Sequence, residues 1–198
     1  AFLYDKSVVS FDAGKQAGGS LDAVSASLGV GGQIELRCGI ESFACLAGRI
    51  DPTNAAFDSS RKPLVVDMNI EGQQIIVISN HFNSKGGDEP LFGPEQAPTN
   101  GSEVQRLQQA QAVAAFVQGI LTLNPDANII VTGDLNDFQF ASSLAPLYAA
   151  GLTNLVNTLP EGERYTYNYQ GNAQALDHMF VSSHLLGASS LDIVHANS

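Results

Sequence analysis

Three apolar runs in this chain each carry a cluster of polar residues at one end. The first is Ile75-Ile76-Val77-Ile78 leading into Ser79-Asn80-His81-Phe82-Asn83-Ser84-Lys85. The second is Ile129-Ile130-Val131 leading into Thr132-Gly133-Asp134-Leu135-Asn136-Asp137. The third is Ala175-Leu176-Asp177-His178-Met179-Phe180-Val181. Short apolar runs bounded by turn residues read as buried strands. Strands point alternate side chains to opposite faces. Asp134 and Asn136 are two apart, so in extended backbone they project together into one cleft, and His81 and Asn83 stand in the same relation. Asp177 and His178 are neighbours, so one of them faces the cleft and alternation gives His178 a structural place. A carboxylate, an amide and an imidazole around one point suit hydrolysis of a phosphate ester. Carboxylates hold Mg²⁺-type ions and orient water. An amide and an imidazole donate to phosphate oxygens as negative charge builds in the transition state.

The rest of the chain supplies a scaffold for these ends. Short β-like runs open it at 1–4 and 7–11, and residues 12–60 are a long Gly/Ala/Ser/Asp-rich excursion with a short helix expected over 20–28. Strands are predicted at 63–70 and 73–79, joined by a Glu71-Gly72 hairpin in which glycine supplies the positive φ. Residues 82–101 are polar and rich in Pro and Gly, hence a loop of the length that is often functional. Leu91-Phe92-Gly93-Pro94 is an apolar tip on it. Ser102 and Gln105 have capping-box spacing, and the stripe Leu107, Ala110, Val113, Ala114, Val117, Ile120 and Leu121 predicts a buried helix face. A strand at 128–132, a helix at 142–150 and strands at 153–157, 165–169, 175–181 and 190–195 complete the reading. Tyr165, Tyr167 and Tyr169 share one strand face. They read first as cross-strand packing and second as a stacking platform for bases.

The chain has 198 residues, with 9 Lys+Arg against 20 Asp+Glu and a net charge of −11. It carries enough aliphatic residues for a real core and too little charge for disorder. No apolar run approaches the roughly 18 residues of a membrane span. A charge of this sign argues against a basic groove for polyanions, so a phosphate substrate must be met by bound cations and a few local bases. Cys38 and Cys45 are the only cysteines. A metal or redox pair is one reading, but CxxC spacing is absent and no His lies near. A disulfide clipping a loop is the simpler reading and favours an oxidising, secreted setting.

The ordered triplet Asn80-His81-Phe82-Asn83-Ser84-Lys85, Gly133-Asp134-Leu135-Asn136-Asp137 and Leu176-Asp177-His178 resembles the endonuclease/exonuclease/phosphatase (DNase I-like) superfamily. Within it, Asn-His-Phe-Asn-Ser-Lys-Gly-Gly-Asp is most similar to the bacterial extracellular nuclease branch. The resemblance implies an α+β fold, a layered β-sandwich flanked by helices. It implies that His81 contacts the phosphate or leaving oxygen. Asp134 would position the attacking water and help bind metal, while Asn136 would hold that water and the scissile phosphate. Asp177 would pair with a catalytic histidine. Arg61, Asn83 and Lys85 fall where phosphate contacts are expected.

The family pattern also includes an Asn and a metal-binding Glu on earlier segments and an Asp-His pair on a last strand, and this chain has no counterpart of them. Residues 1–198 are therefore read as a single, partial catalytic domain, incomplete at both ends, whose activity on its own should be weak or absent. The implied activity is divalent-metal-dependent phosphodiester hydrolysis with Mg²⁺, or with Mn²⁺ or Ca²⁺, by a secreted bacterial nuclease whose substrate is nucleic acid. No membrane association or obligate protein partner is called for. The alternatives are a phosphatase or phosphodiesterase acting on a small or lipid phosphate, and a non-catalytic binding module of the same fold.

Overall fold

The computed structural model describes residues 4–90 and 93–195. The run at 1–4 and the apolar tip at 91–94 therefore lie wholly or partly outside the described residues. In chain order the elements are β1 (Val9–Ser10), β2 (Gln16–Ala17), β3 (Val24–Leu28), β4 (Ile34–Cys38), β5 (Phe43–Arg49), β6 (Leu64–Ile70), β7 (Gln73–His81), α1 (Glu103–Leu123), β8 (Ile129–Asp134), α2 (Ala145–Ala149), β9 (Thr153–Asn154), β10 (Tyr167–Tyr169), β11 (Asn172–Gln174), β12 (Asp177–Val181) and α3 (Ser183–Leu186). The result is the expected α+β class, a layered mixed sheet with few helices.

The main sheet runs β3-β4-β5-β6-β7-β8-β12-β9, with β1 beside β6 and β2 beside β5, while β10 and β11 form a separate hairpin. The β6–β7 turn carries positive φ at both Glu71 and Gly72, the combination that matches the twist of its flanking strands. β7 and β8 are parallel. Parallel neighbours need a crossover, and the loop after β7 followed by α1 provides it.

Alternation along β7, β8 and β12 builds a core on each face. Ile76, Ile78, Ile129, Val131 and Phe180 face α1, where Ala110, Val113, Ala114, Val117 and Ile120 meet them. Ile75, Val77 and Val181 face the other way, with Val66, Met68, Leu155 and Leu185. Cys38 and Cys45 are fully buried and disulfide-bonded across the β4–β5 hairpin, inside the α1-side core.

Several expectations fail for reasons of tertiary structure. Residues 20–28 contain a strand instead of a helix, because Val24–Leu28 pairs in register with Ile34–Cys38. The strand expected over 153–157 stops at Asn154, whose side chain accepts from the Val156 amide and turns the chain into a 3-10 helix over Leu155–Thr158. The helix expected over 142–150 begins as a 3-10 turn, Ser142–Leu144, before α2. Residues 190–195 form no strand; Leu191 packs on the second core and His195 stacks on Tyr165.

Candidate functional site

Strand register brings the three polar ends into one row. His81 is opposite Asp134 across the β7–β8 ladder, and Asp134 is opposite Asp177 across the β8–β12 ladder. Residues opposite one another in a ladder share a face. Here it is the face away from α1, since residues further along the same face of these strands (Val77, Ile130 and Met179) belong to the second core. The row one residue back, Asn80, Gly133 and His178, faces α1.

Gly133 is obligatory in that second row. Its φ is +127°, and a Cβ there would stand 2.1 Å from the Asn80 carbonyl oxygen. His178 is 3% exposed. Its Nε2 lies 2.8 Å from the Asp137 carbonyl and must donate, which leaves Nδ1 to accept from the Asn154 amide at 3.0 Å. Burial holds its pKa below the usual imidazole value, so it is a neutral structural histidine.

Asn136 reaches the cleft by a different route from the extended one expected. Its φ is +52°, and its amide donates to Asp134 Oδ1 at 2.9 Å, closing a turn on the strand end. Its Nδ2 donates to the Phe82 carbonyl at 3.1 Å, tying this turn to the end of β7. The other carboxylate oxygen of Asp134 lies 3.6 Å from His81 Nε2. Burial, seconded by the Asp177 charge, raises the Asp134 pKa above the ordinary carboxylate value; the Asn136 amide and the charges of His81 and Arg61 oppose this without cancelling it. Arg61 is thus within electrostatic reach, on an exposed segment before β6. Asp177 is exposed, its amide donating to Thr166 Oγ1 at 3.1 Å, while Arg164 turns to the Asn157 and Leu159 carbonyls.

Lys85 is less free than its position in the sequence suggests. Asn83 is tied only through its main-chain N–H, which donates to Gln109 Oε1 at 2.8 Å. Lys85 lies 3.2 Å from Asp137 Oδ1 and 3.6 Å from Asp88 Oδ2, with its ammonium 4.8 Å from the Phe138 ring centre. Both carboxylates also bind Arg106, which is 0% exposed, at 2.8 Å for Asp137 and 3.1 Å for Asp88. Ser143 donates to Asp137, and Ser102 donates to Asp88 through both its amide and its hydroxyl. Burial acts to raise the pKa of Asp88 and of Asp137, but these hydroxyls, the Ser102 amide and the cations outweigh it and hold both below the ordinary value.

The capping box expected at Ser102 and Gln105 is therefore not formed. Ser102 serves Asp88 and Arg106, and Gln105 donates to the Ala56 and Asp58 carbonyls. Arg106 and Gln109 are the residues that sequence reasoning missed. The only available signal was two polar residues at positions that the helix periodicity turns inward.

Asp134, Asn136 and Asp177 open onto a cleft of about 630 Å³, also lined by Lys85, Phe138, Tyr167 and Tyr169. The tyrosine stripe expected to pack across strands does not do so. Tyr165 stacks on His195 at 3.7 Å, while Tyr167 and Tyr169 lie beside each other with centroids 6.2 Å apart and planes 15° apart. Among the described residues no three His, Cys, Asp or Glu side chains gather closely enough to hold a metal ion. Mg²⁺ commonly uses only one or two carboxylates, completing its shell with water and substrate phosphate. Asp134, Asp177 and the Asn136 amide oxygen are all hard oxygen donors, so the residues present fit such an ion.

No curated protein matches the chain. Among solved structures, humanized D. rerio TDP2 is 21% identical, covering 62% of this chain and 45% of that one with a TM-score of 0.44. Beta toxin from Staphylococcus aureus is 17% identical, covering 69% and 48%, with a TM-score of 0.47. Truncated Caenorhabditis elegans TDP2 is 15% identical, covering 82% and 62%, with a TM-score of 0.47. This chain therefore spans less than two thirds of the length of each. Residues 41–196 match the profile of the Endonuclease/Exonuclease/phosphatase family, a span that contains all three strand ends of the site, and the chain belongs to that family.

Proposed function

We propose that the chain carries the phosphate-handling centre of a divalent-metal-dependent phosphodiester hydrolase, a nuclease of extracellular setting. The observation that carries this reading is the row His81, Asp134 and Asp177 on three adjacent strands, with Asp134 and Asp177 joined by Asn136 on the wall of one cleft and His81 3.6 Å from Asp134. The Cys38–Cys45 disulfide supports the oxidising compartment.

The roles follow from the geometry. Asp134 Oδ1 is held by the Asn136 amide, which leaves Oδ2 to orient a water for in-line attack. His81, 3.6 Å from that oxygen, is placed to donate to a phosphoryl oxygen as charge develops. Asp134 with Asn136, and Asp177 beside them, would hold the divalent ion. When bound, such an ion supplies charge neutralisation and a more acidic water. Arg61 would add a positive charge at the rim, whereas Lys85 is already engaged by two carboxylates and contributes less to phosphate binding than its place on the loop suggests.

The test is hydrolysis of plasmid DNA, RNA, an inositol phosphate and a sphingolipid phosphodiester, each with Mg²⁺ and with EDTA. The reading expects metal-dependent cleavage of nucleic acid above the other substrates. A preference for the lipid or inositol substrate favours the small-phosphate alternative, and cleavage that EDTA leaves unchanged overturns metal dependence.

A further inference from the structure

The β10–β11 hairpin stands on the wall of the cleft and contributes nothing to either core. Tyr167 and Tyr169 are 48% and 52% exposed, and neither belongs to an apolar cluster. Their cross-strand partners are Gln174 and Asn172, which also line the cleft. The chain thus holds two nearly parallel aromatic rings in the open, 6.2 Å apart, next to the carboxylates of the phosphate site. Contiguous exposed aromatic surface on a cleft wall, outside either core, marks a binding surface.

We infer that Tyr167 and Tyr169, edged by Asn172 and Gln174, are a subsite on which successive bases of a single-stranded nucleic acid stack beside the phosphate handled by Asp134. The inference rests on the phosphodiesterase reading for the fate of that phosphate, while base binding itself does not depend on it. Three features support it. Two rings at alternate positions of one strand offer places to consecutive bases. Side-chain amides carry both donors and acceptors, the groups that pair with base edges. The cleft lining holds four carboxylates against one lysine and the whole chain carries −11, so direct contacts of the protein with phosphates add little to the affinity. Stacking adds more, because it is indifferent to charge and to base identity. The strand must be single, since bases in a duplex are already stacked on one another and their faces are hidden.

The experiment compares binding of a labelled phosphorothioate oligothymidylate with an abasic strand of the same length and charge, by fluorescence anisotropy. The natural chain, Tyr167→Ala/Tyr169→Ala and Tyr167→Phe/Tyr169→Phe are each measured, with Tyr169→Ala as the fallback if the double alanine variant does not fold. The expected result is at least about tenfold tighter binding of the base-bearing strand, erased by alanine and kept by phenylalanine, with duplex DNA binding more weakly than single strand. Equal affinity for base-bearing and abasic strands overturns the inference, as does an alanine variant that binds like the natural chain, or duplex bound as tightly as single strand. Cleavage of an abasic phosphodiester strand is measured alongside. Its absence in a domain completed at both ends, together with tyrosine-dependent binding, would sink the hydrolase reading and leave the base subsite standing.

Discussion

Asp134 and Asp137 are three residues apart on one turn and have opposite electrostatic fates. Asp137 is buried but answered by Arg106, Lys85 and Ser143, and its pKa is lowered. Asp134 is partly exposed, faces Asp177, and its pKa is raised. One carboxylate is fully paired and locks the loop after β7 to α1 and to the turn after β8. The other is left under-compensated at the mouth of the cleft. Burial alone does not decide the sign of a pKa shift; the number of donors and cations that arrive with the carboxylate does. Under-compensated charge belongs where chemistry is done, and satisfied charge where the scaffold is held.

The sharpest test of this contrast is Asp134→Ala. In a domain completed at both ends it should lower phosphodiester turnover by about 10⁴-fold, ~5.4 kcal/mol, with the thermal transition preserved. A loss under about tenfold would remove Asp134 from the centre of the chemistry. The converse test is Arg106→Met, which strands two buried carboxylates. It should cost about 3–5 kcal/mol in urea unfolding, and a cost under about 1 kcal/mol would show that the buried network holds nothing together.

Acid should separate the two regions next. Asp88 and Asp137 have folded pKa values below the ordinary carboxylate value of 3.8, so their contribution to stability is present above that value and fades as pH falls through the lowered folded values. Unfolding free energy followed from pH 6 downward should show this loss, and Arg106→Met should flatten it. The smallest effect is the opposite one at Asp134. Its folded pKa lies above 3.8, so ionisation penalises the fold at neutral pH, and the penalty vanishes below the unfolded value. Asp134→Asn should therefore abolish activity yet raise stability at pH 7, with no gain near pH 3. A destabilised asparagine variant at pH 7 would break the comparison.

Much of the scaffold was legible because its signals are local. The Glu71-Gly72 turn, the apolar runs of β7 and β8 and the inward stripe of α1 each declare themselves within a few residues. The errors arise where a partner distant in sequence outcompetes a local preference. Ser102 and Gln105 have capping spacing, yet Asp88 and the Ala56 and Asp58 carbonyls take them. Residues 24–28 have helical-looking small residues, but the free edge of β4 recruits them as a strand. The helix periodicity turns Arg106 inward, but the charge that makes an inward arginine tenable comes from two carboxylates 18 and 31 positions away.

The sequence by itself determined which residue types stand at the ends of which strands, because apolar runs and turn residues set strand ends through local sterics and burial. It thereby determined that His81, Asp134 and Asp177 are site candidates. Only the tertiary structure decided that they form one row, since that depends on a parallel β7–β8 ladder beside an antiparallel β8–β12 ladder, and register is a relation between segments far apart in the chain. The same holds for the contrast between Asp134 and Asp137: their difference lies in neighbours that only folding brings near, and electrostatic energy falls with distance in space, whatever the separation along the chain.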